Sequence, residues 1–245
     1  MIIATTTKFD YETVSDIRLQ LTLRTFELAK IYGYKVVAVD SNSDDFFLER
    51  ANVLGVKIFE QKQSGMGNAR REAIMHAINT AASIDSFIVW IEPEKCNIIN
   101  HLSRINEYEQ ANHYELILFY RKSLESYPRE QQLSYSYGRL LSEYLLGQSI
   151  DLFYGPVAFR KRSIEYFTNY VSSYSDKWDS IHIPKLRIIA AHIPFTQITI
   201  DYSHPFEQTS SEMGNLDLFL KRTEQAHELS IAYIAEAKKL GLIHN

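Results

Sequence analysis

Two acidic residues, Glu92 and Glu94, stand one residue apart directly after the apolar run 86–91. A short apolar run of this kind predicts a buried strand, so both carboxylates would leave the core at the end of that strand. Hard divalent cations take oxygen ligands and share them with phosphate oxygens. The pair therefore predicts a cation bound against a diphosphate. The alternative is two solvated acids at a strand end, next to Lys95.

Short apolar runs alternate with longer helical patterns through the first half of the chain. The predicted strands are 2–6, 35–40, 56–60, 87–91 and 115–120, and the predicted helices are 15–32, 44–54, 68–82 and 98–111. Five successive units of this kind predict an α/β fold with a mainly parallel sheet flanked by helices. Ligands bind at the carboxyl ends of such strands, so we expect residues 5–7, 40–45 and 92–94 in one crevice.

The second half of the chain is less regular. The run 152–159 predicts a strand, and Pro156 places it at a sheet edge or makes it begin beyond the proline. Helices are predicted at 129–146, 163–173, 180–191 and 215–240, the last as one long or two short helices, and a strand at 195–202. Pro184 is expected in the first turn of its helix. The core positions expected in the last helical region are Leu229, Ala232, Ile234, Ala235 and Leu240.

Composition limits the classes of function. The chain has 245 residues, 45% of them hydrophobic and 23% charged, which suits one large α/β body. Its net charge of -4 gives no overall attraction to nucleic acid or anionic lipid, so any phosphate site must be local. The single cysteine, Cys96, excludes an internal disulfide. No run is long enough to span a membrane, and we expect a cytoplasmic protein.

Several segments together resemble a known family. Segment 40–45 resembles the Asp-Asp-Gly-Ser-Thr-Asp segment of family 2 glycosyltransferases, and segment 65–71 resembles their Gly-x-Gly-x-Ala-Arg-Asn segment. Glu92-Pro93-Glu94 falls where these enzymes carry Asp-x-Asp. Segment 155–160 is similar to the acceptor-side strand of these transferases, and segments 178–179 and 198–204 resemble the closing segment of the mannosylglycerate synthase and glucosyl-phosphoglycerate synthase branch. The chain thus resembles the nucleotide-diphospho-sugar transferases of the GT-A fold over residues 1–205, with 206–245 expected as a C-terminal helical extension packed on the same body.

The resemblance implies a hexosyltransferase that uses a UDP- or GDP-linked sugar and Mg²⁺ or Mn²⁺. It implies metal contact by Glu94 and His204. It also implies that Asp179 orients the acceptor hydroxyl or acts as a general base. The nucleotide-binding residues that it implies are Thr5, Thr6, Asp40, Gly67, Arg70 and Glu92. Four of these residues have an ordinary alternative: Asp40 and Asp179 as turn or helix-cap residues, Arg70 as a surface arginine and His204 as an exposed loop residue.

The expected partners are a sugar-nucleotide donor and a small acceptor, without nucleic acid. The basic run 160–162 suggests an acidic acceptor, although three basic residues at a helix start are usually solvated. A homodimer is left open.

Two departures from the family pattern keep a second hypothesis in play. Both acidic positions are glutamate with Pro93 between them, and Arg71 replaces the usual asparagine. The alternative is therefore a catalytically silent GT-A-like domain that binds a sugar nucleotide or a protein partner. A sugar nucleotidyltransferase ranks last, because segment 5–9 is not the glycine-rich, arginine-containing loop that such enzymes carry after the first strand.

Overall fold

The computed structural model describes residues 1–10, 16–111 and 113–243. Within them, one sheet is flanked by helices on both faces. The strands are β1 Ile2–Thr7, β2 Lys35–Asp40, β3 Lys57–Glu60, β4 Phe87–Trp90, β5 Leu116–Arg121, β6 Val157–Arg160 and β7 Phe195–Ile200. The helices are α1 Ile17–Ile31, α2 Asp45–Val53, α3 Met66–Thr80, α4 Ser103–Ala111, α5 Arg129–Leu146, α6 Glu165–Thr168, α7 Asp179–Ala190, α8 Phe206–Glu212 and α9 Leu216–Lys239.

The strands are ordered β3-β2-β1-β4-β6-β5-β7. Only β6, among these strands, runs antiparallel to its neighbours β4 and β5, so the predicted mainly parallel sheet is confirmed. β6 begins at Val157, directly after Pro156, which agrees with the second of the two expectations for that proline. Strand β6 lies between β4 and β5 and not at an edge. This position is possible because Pro156, which has no amide hydrogen to donate, precedes the strand.

The central strands of the sheet are buried on both faces, as expected for strands covered by helices, and the edge strands β3 and β7 are partly exposed. Successive β1 residues point to opposite sides: Ile2 packs in a cluster with Trp90 and α7 residues, and Ile3 packs in a second cluster with Phe26 and Phe47. The central strands β4 (FIVW) and β5 (LILFYR) accordingly read as almost continuous apolar runs. The two layers fix the positions of the strand ends, where the polar residues are found.

Two expectations for the helices between β6 and β7 are wrong. The helix predicted at 163–173 is only the short α6, Glu165–Thr168. Pro184 is the sixth residue of α7 and lies past its first turn. Ten of the twelve α7 residues are buried, and this packing compensates for the backbone hydrogen bond that a proline cannot donate.

The C-terminal helices pack on the same core as the sheet. In α9, Leu229 and Ala232 are buried as predicted, together with Tyr233 and Ala237. Ile234 and Leu240 are 36% and 38% exposed, because the buried stripe of the helix runs through Tyr233 instead. The Tyr233 hydroxyl donates to the Leu152 carbonyl at 2.8 Å, so α9 is tied to the loop before β6.

Across the described ranges, the length and hydropathy of the helices give no candidate for a membrane span. The expected start of the first helix at Ser15 lies outside the described residues.

A clamp between α3 and the loop before α7 depends on a glycine. Arg71 forms two hydrogen bonds of 2.7 Å with the Asp176 carboxylate. A Cβ at Gly67 would overlap this carboxylate and lie 2.5 Å from the Asp176 backbone oxygen.

We predict that Gly67→Ala lowers the free energy of unfolding by about 1–3 kcal/mol, because a backbone atom must move to relieve the overlap. This cost exceeds the gain in helix propensity from alanine, about 0.5–1 kcal/mol. Urea denaturation measures the difference. Met75→Ala on the same helix, at a side chain that is 44% exposed, is the control and should change stability by less than about 0.5 kcal/mol. Equal stability of Gly67→Ala and the natural chain would contradict the clamp.

Candidate functional site

A cavity of about 570 Å³ opens beyond the carboxyl ends of β4 and β5. One wall comes from the start of α1 and the segment after β4, and another comes from α5 and the loop before β6. Residues 204–229, which include α8 and the first half of α9, form the remaining wall. The crevice predicted at this edge of the sheet is therefore closed on one side by the C-terminal helices.

The acidic pair is part of a tight turn. The Lys95 amide donates to the Glu92 carbonyl at 3.1 Å, so residues 92–95 form a β-turn with Pro93 at its second position, where proline is favoured. The turn brings the Lys95 ammonium to 3.1 Å from Glu92 Oε2. Glu92 also lies against Gly155, where a Cβ would be 2.7 Å from its carboxyl carbon. Proline and glycine together thus hold a Glu–Lys ion pair in the cavity wall.

Charge around Glu92 keeps its carboxylate ionised. Burial raises the pKa of Glu92, but Lys95, a backbone hydrogen bond and Arg70 together lower this pKa below its ordinary value. The pKa of Lys95 is lowered by burial, against the opposing effect of Glu92. Both groups line the cavity, where they form a desolvated pair of opposite charges.

The second acidic residue faces α1. Glu94 Oε1 lies 3.1 Å from the Arg18 guanidinium, and the Pro93 carbonyl accepts a hydrogen bond of 2.5 Å from the Thr25 hydroxyl. Thr25 and Arg18 lie two turns apart on α1. The turn 92–95 is thus docked on the helix that follows β1, and Glu94 already has a cationic partner.

Arg121, the last residue of β5, is only 1% exposed yet lines the cavity. Its guanidinium carbon lies 3.8, 4.7 and 4.8 Å from the ring centres of Tyr127, Tyr202 and Tyr154. Its NH1 group donates to the Ser126 carbonyl at 3.0 Å. Three aromatic faces and a carbonyl hold this cation in one position.

His204 lies next to Arg121 in the same cavity. Its Nε2 atom is 3.0 Å from Arg121 NH2, and because arginine has no acceptor, Nε2 must be the unprotonated nitrogen. Burial, followed by the charge of Arg121, lowers the pKa of His204 to about 3, so the ring is neutral. The lone pair of Nε2 is directed at a guanidinium.

Arg70 lines the cavity as predicted and is buried, not on the surface. Its NH1 group donates to the Lys177 carbonyl at 2.6 Å, and its guanidinium carbon lies 5.5 Å from the ring centre of Trp90. Burial lowers the pKa of Arg70, whereas Glu92 acts in the opposite direction. Arg70 therefore places a fixed positive charge near Glu92 and anchors the segment before α7.

The predicted residues on β1 and β2 meet each other but do not contribute to the described cavity lining. Asp40 accepts hydrogen bonds from the Thr7 hydroxyl at 2.7 Å and from the Ser43 amide at 2.7 Å, and it is 4% exposed. This geometry is that of the turn residue named as its alternative. The Thr5 hydroxyl donates to the Ile91 carbonyl at 2.9 Å, and Thr6 is half-buried on β1. Their nucleotide contacts stay predictions.

Asp179 also lies outside the described lining, at the first position of α7. Its carboxylate is 2% exposed and accepts four hydrogen bonds. The donors are the hydroxyls of Tyr170, Ser172 and Ser175 and the amide of Lys177. This arrangement favours the alternative of a residue that organises the loop and the helix start. Gly67 likewise faces the protein's own Asp176.

The basic run 160–162 lies at the opposite end of β6 from the cavity. Arg160 donates to the Tyr114 carbonyl at 2.8 Å and to the Asp85 carbonyl at 2.9 Å. Arg162 forms an ion pair with Glu115. Since β6 is antiparallel, its last residue lies at the amino ends of the other strands, and the suggested contact of this run with an acceptor is wrong.

The predicted metal donors do not fit a divalent cation in this arrangement. Glu94 is paired with Arg18, His204 Nε2 accepts from Arg121, and Glu92 is paired with Lys95. Among the described residues, no three or more His, Cys, Asp or Glu side chains are grouped so that they could hold a metal ion. A divalent ion about 5 Å from one fixed unit charge is repelled by roughly 7 kcal/mol at an effective dielectric constant of about 20. The Mg²⁺ or Mn²⁺ prediction is thus not favoured by these donors.

Several cavity residues were not singled out from the sequence. Arg121 is the last residue of β5. The expectation that ligands bind at the carboxyl ends of strands was drawn only for β1, β2 and β4, so it did not include Arg121. Lys95 was noted only as a neighbour of Glu94. Asp151, which accepts a hydrogen bond from the Tyr127 hydroxyl, and the α9 residues Lys221 and Arg222 carry no motif. Their place in the wall follows from helix packing alone.

Comparisons with known proteins give structural matches only. No family model and no curated sequence matches the chain. Glucosyl-3-phosphoglycerate synthase of M. tuberculosis is 10% identical with a TM-score of 0.62, over 100% of this chain and 81% of that one. Mannosyl-3-phosphoglycerate synthase of Rubrobacter xylanophilus is 14% identical with a TM-score of 0.61, over 100% and 76%.

A further structure of the M. tuberculosis enzyme, in complex with Mn²⁺, UDP-glucose and phosphoglyceric acid, is 11% identical with a TM-score of 0.57, over 90% of this chain and 78% of that one. At these identities the likeness concerns the fold. The predicted α/β architecture, a mainly parallel sheet flanked by helices with a C-terminal helix, is confirmed, and the chain has the GT-A fold of nucleotide-sugar transferases.

Proposed function

We propose that the protein transfers a sugar from a UDP- or GDP-linked donor to a small acceptor. The observation that carries the proposal is the charged cavity at the carboxyl edge of a GT-A sheet, the edge at which open α/β sheets bind ligands. Its volume of about 570 Å³ is in the range of small-molecule sites. Its described lining includes six Lys or Arg and five Asp or Glu side chains, in a chain of net charge -4.

The charges suit the proposed chemistry. In a glycosyl transfer the bond between the anomeric carbon and the diphosphate oxygen breaks, and its electron pair stays on the diphosphate. The acceptor oxygen bonds to the anomeric carbon and releases its proton to a diphosphate oxygen or to water. Negative charge grows on the leaving group, and fixed positive charges close to it stabilise the transition state. We assign this role to Arg70, Lys95 and Arg121, which line the cavity.

In this proposal, Glu92 contacts the ribose or a bound water of the donor. Nucleotide contacts of Thr5, Thr6, Asp40 and Gly67 stay predictions from the resemblance, because these residues lie outside the described cavity lining. Asp179 acts by holding the loop before α7. A structure of the M. tuberculosis enzyme contains Mn²⁺, so the binding assays below are run with and without a divalent metal ion. A homodimer and a cytoplasmic location stay predictions from the sequence.

The acceptor side is assigned to the wall formed by α9. Lys221 and Arg222 line the cavity, and Arg222 NH1 donates to Gln225 at 3.0 Å. These cations favour an acidic acceptor in place of the run 160–162. Phosphoglyceric acid, bound by the M. tuberculosis enzyme, is a suitable first probe.

A silent GT-A-like domain that binds a sugar nucleotide or a protein partner is the second candidate. The ion pairs of Glu92 and Glu94 with Lys95 and Arg18 favour it, because they occupy the acidic motif. It differs from the first candidate in one result: nucleotide binding without transfer or hydrolysis across a panel of donors and acceptors.

We predict that UDP or GDP raises the melting temperature, with the larger effect from the base that fits the crevice. Ligand at about one hundred times its Kd should add about 2.7 kcal/mol of stability, which is several degrees for a domain of this size. Differential scanning fluorimetry is run with each diphosphate in EDTA, Mg²⁺ and Mn²⁺. ATP and inorganic phosphate are the ligand controls. An unchanged melting temperature with both diphosphates in all three conditions would exclude the transferase and also a silent domain that binds a sugar nucleotide.

We predict that Arg222→Met raises the KM for an acidic acceptor about tenfold, because one charge-assisted hydrogen bond is lost, and leaves the KM for the donor unchanged. Release of the nucleoside diphosphate is measured with UDP- and GDP-sugars and phosphoglyceric acid. Lys238→Met, an exposed position near the end of α9, is the matched control. Equal loss of donor and acceptor affinity in Arg222→Met would argue against an acceptor role for this wall.

A further inference from the structure

We infer that Lys95 contacts the diphosphate of the donor directly and, together with the fixed charge of Arg121, takes the place of a divalent metal ion in this chain. The inference rests on the proposed function and specifies how the same site neutralises its leaving group. Sugar-nucleotide binding and transfer would then proceed without Mg²⁺ or Mn²⁺.

The position of Lys95 follows from the turn that carries the acidic pair. Its ammonium lies 3.1 Å from Glu92 Oε2 and 4.6 Å from the ring centre of Tyr154, and its side chain is 15% exposed. An ammonium has three N–H donors, and the ion pair with Glu92 uses one of them. Lys95 lines the cavity, so the remaining donors are available to an anion that enters it.

Arg121 supplies a charge that does not move. Packing between Tyr127, Tyr154 and Tyr202, with hydrogen bonds to the Ser126 carbonyl and to His204, fixes the guanidinium before any ligand arrives. Tyr154 lies beside both cations, at 4.6 Å from Lys95 Nζ and 4.8 Å from Arg121 Cζ. The two positive charges therefore share one part of the cavity. Preorganised charge of this kind needs no reorganisation when the leaving group departs.

The candidate metal ligands lie among the same cations. Glu92 is the counter-ion of Lys95, His204 accepts from Arg121, and Glu94 is paired with Arg18. A metal ion would have to break at least two of these contacts and then remain close to Lys95 and Arg121. An anionic diphosphate breaks none of the contacts of Arg121 and competes only with Glu92 for Lys95. The arrangement is selective for an anion over a cation.

The test measures UDP and GDP binding by isothermal titration calorimetry in EDTA, in Mg²⁺ and in Mn²⁺. The expected result is an affinity for the preferred diphosphate that changes by less than about threefold between EDTA and either metal. Binding that requires metal would overturn the inference and leave the proposed function intact. Failure of both diphosphates to bind in every condition would remove the proposed function, and the inference with it.

Variants of Lys95 test the contact itself. Lys95→Met should weaken binding of the preferred diphosphate in EDTA about tenfold or more, since a charge-assisted contact with phosphate is lost. The corresponding nucleoside monophosphate, which has the same base and ribose, should lose distinctly less. Lys95→Arg keeps the charge and should recover most of the affinity. A merely structural role for Lys95 would weaken mono- and diphosphate alike.

The matched control is Lys35→Met, which removes the same charge at an exposed position at the start of β2. Its diphosphate affinity should equal that of the natural chain. Unchanged diphosphate affinity in Lys95→Met would overturn the assignment of Lys95, whatever the metal dependence. Equal losses in the Lys95→Met and Lys35→Met variants would attribute the effect to net charge and would also contradict it.

Discussion

Burial of the Arg121 guanidinium is the constraint on which the cavity depends. An arginine side chain does not lose its proton in a protein, so a buried one must be surrounded by groups that replace water. Here these groups come from three separate segments: Tyr127 and the Ser126 carbonyl before α5, Tyr154 before β6, and Tyr202 with His204 after β7. The cation thereby ties the end of β5 to three later segments of the cavity wall. It also gives three of the sixteen tyrosines a specific task, the packing of a buried cation.

The turn 92–95 supplies the second cation, and proline is the reason that it can. Pro93 favours a tight turn immediately after β4, and a turn of four residues places its first and last side chains within reach of each other. Glu92 and Lys95 occupy those positions and pair at 3.1 Å. What looked from the sequence like an unfavourable proline within a metal motif is, in the structure, the device that returns a lysine to the motif. The segment differs from the Asp-x-Asp pattern that it resembles in three linked features: longer acids, a turn-forming proline and a basic residue at the end of the turn.

Sequence patterns were sufficient for the sheet and insufficient for the site. The regular alternation of apolar runs and helical patterns predicted β1 to β5. The strand-end rule led to Glu92 and Glu94 and the family resemblance led to Arg70, and all three line the cavity. Asp40 and Asp179 instead have their oxygens occupied by neighbouring hydroxyls and amides, which are local contacts that a motif does not distinguish from ligand contacts. The α9 wall was beyond prediction, because the periodicity of a helix shows that it has an apolar face but not which element that face will meet. Tyr233, which ties α9 to the loop before β6, was not among the expected core residues.

The structural neighbours share the path of the chain at 10% to 14% identity, and such a likeness does not determine the chemistry at the edge of the sheet. A GT-A crevice needs positive charge beside a diphosphate, and either a metal ion or protein side chains can meet that need. The two solutions differ in a physical respect. A metal ion can depart with the product, whereas the charge of Lys95 stays with the protein. In our proposal the lysine divides its N–H donors between Glu92 and the diphosphate, so Glu92, held against Gly155 at the same turn, remains its counter-ion when the diphosphate leaves.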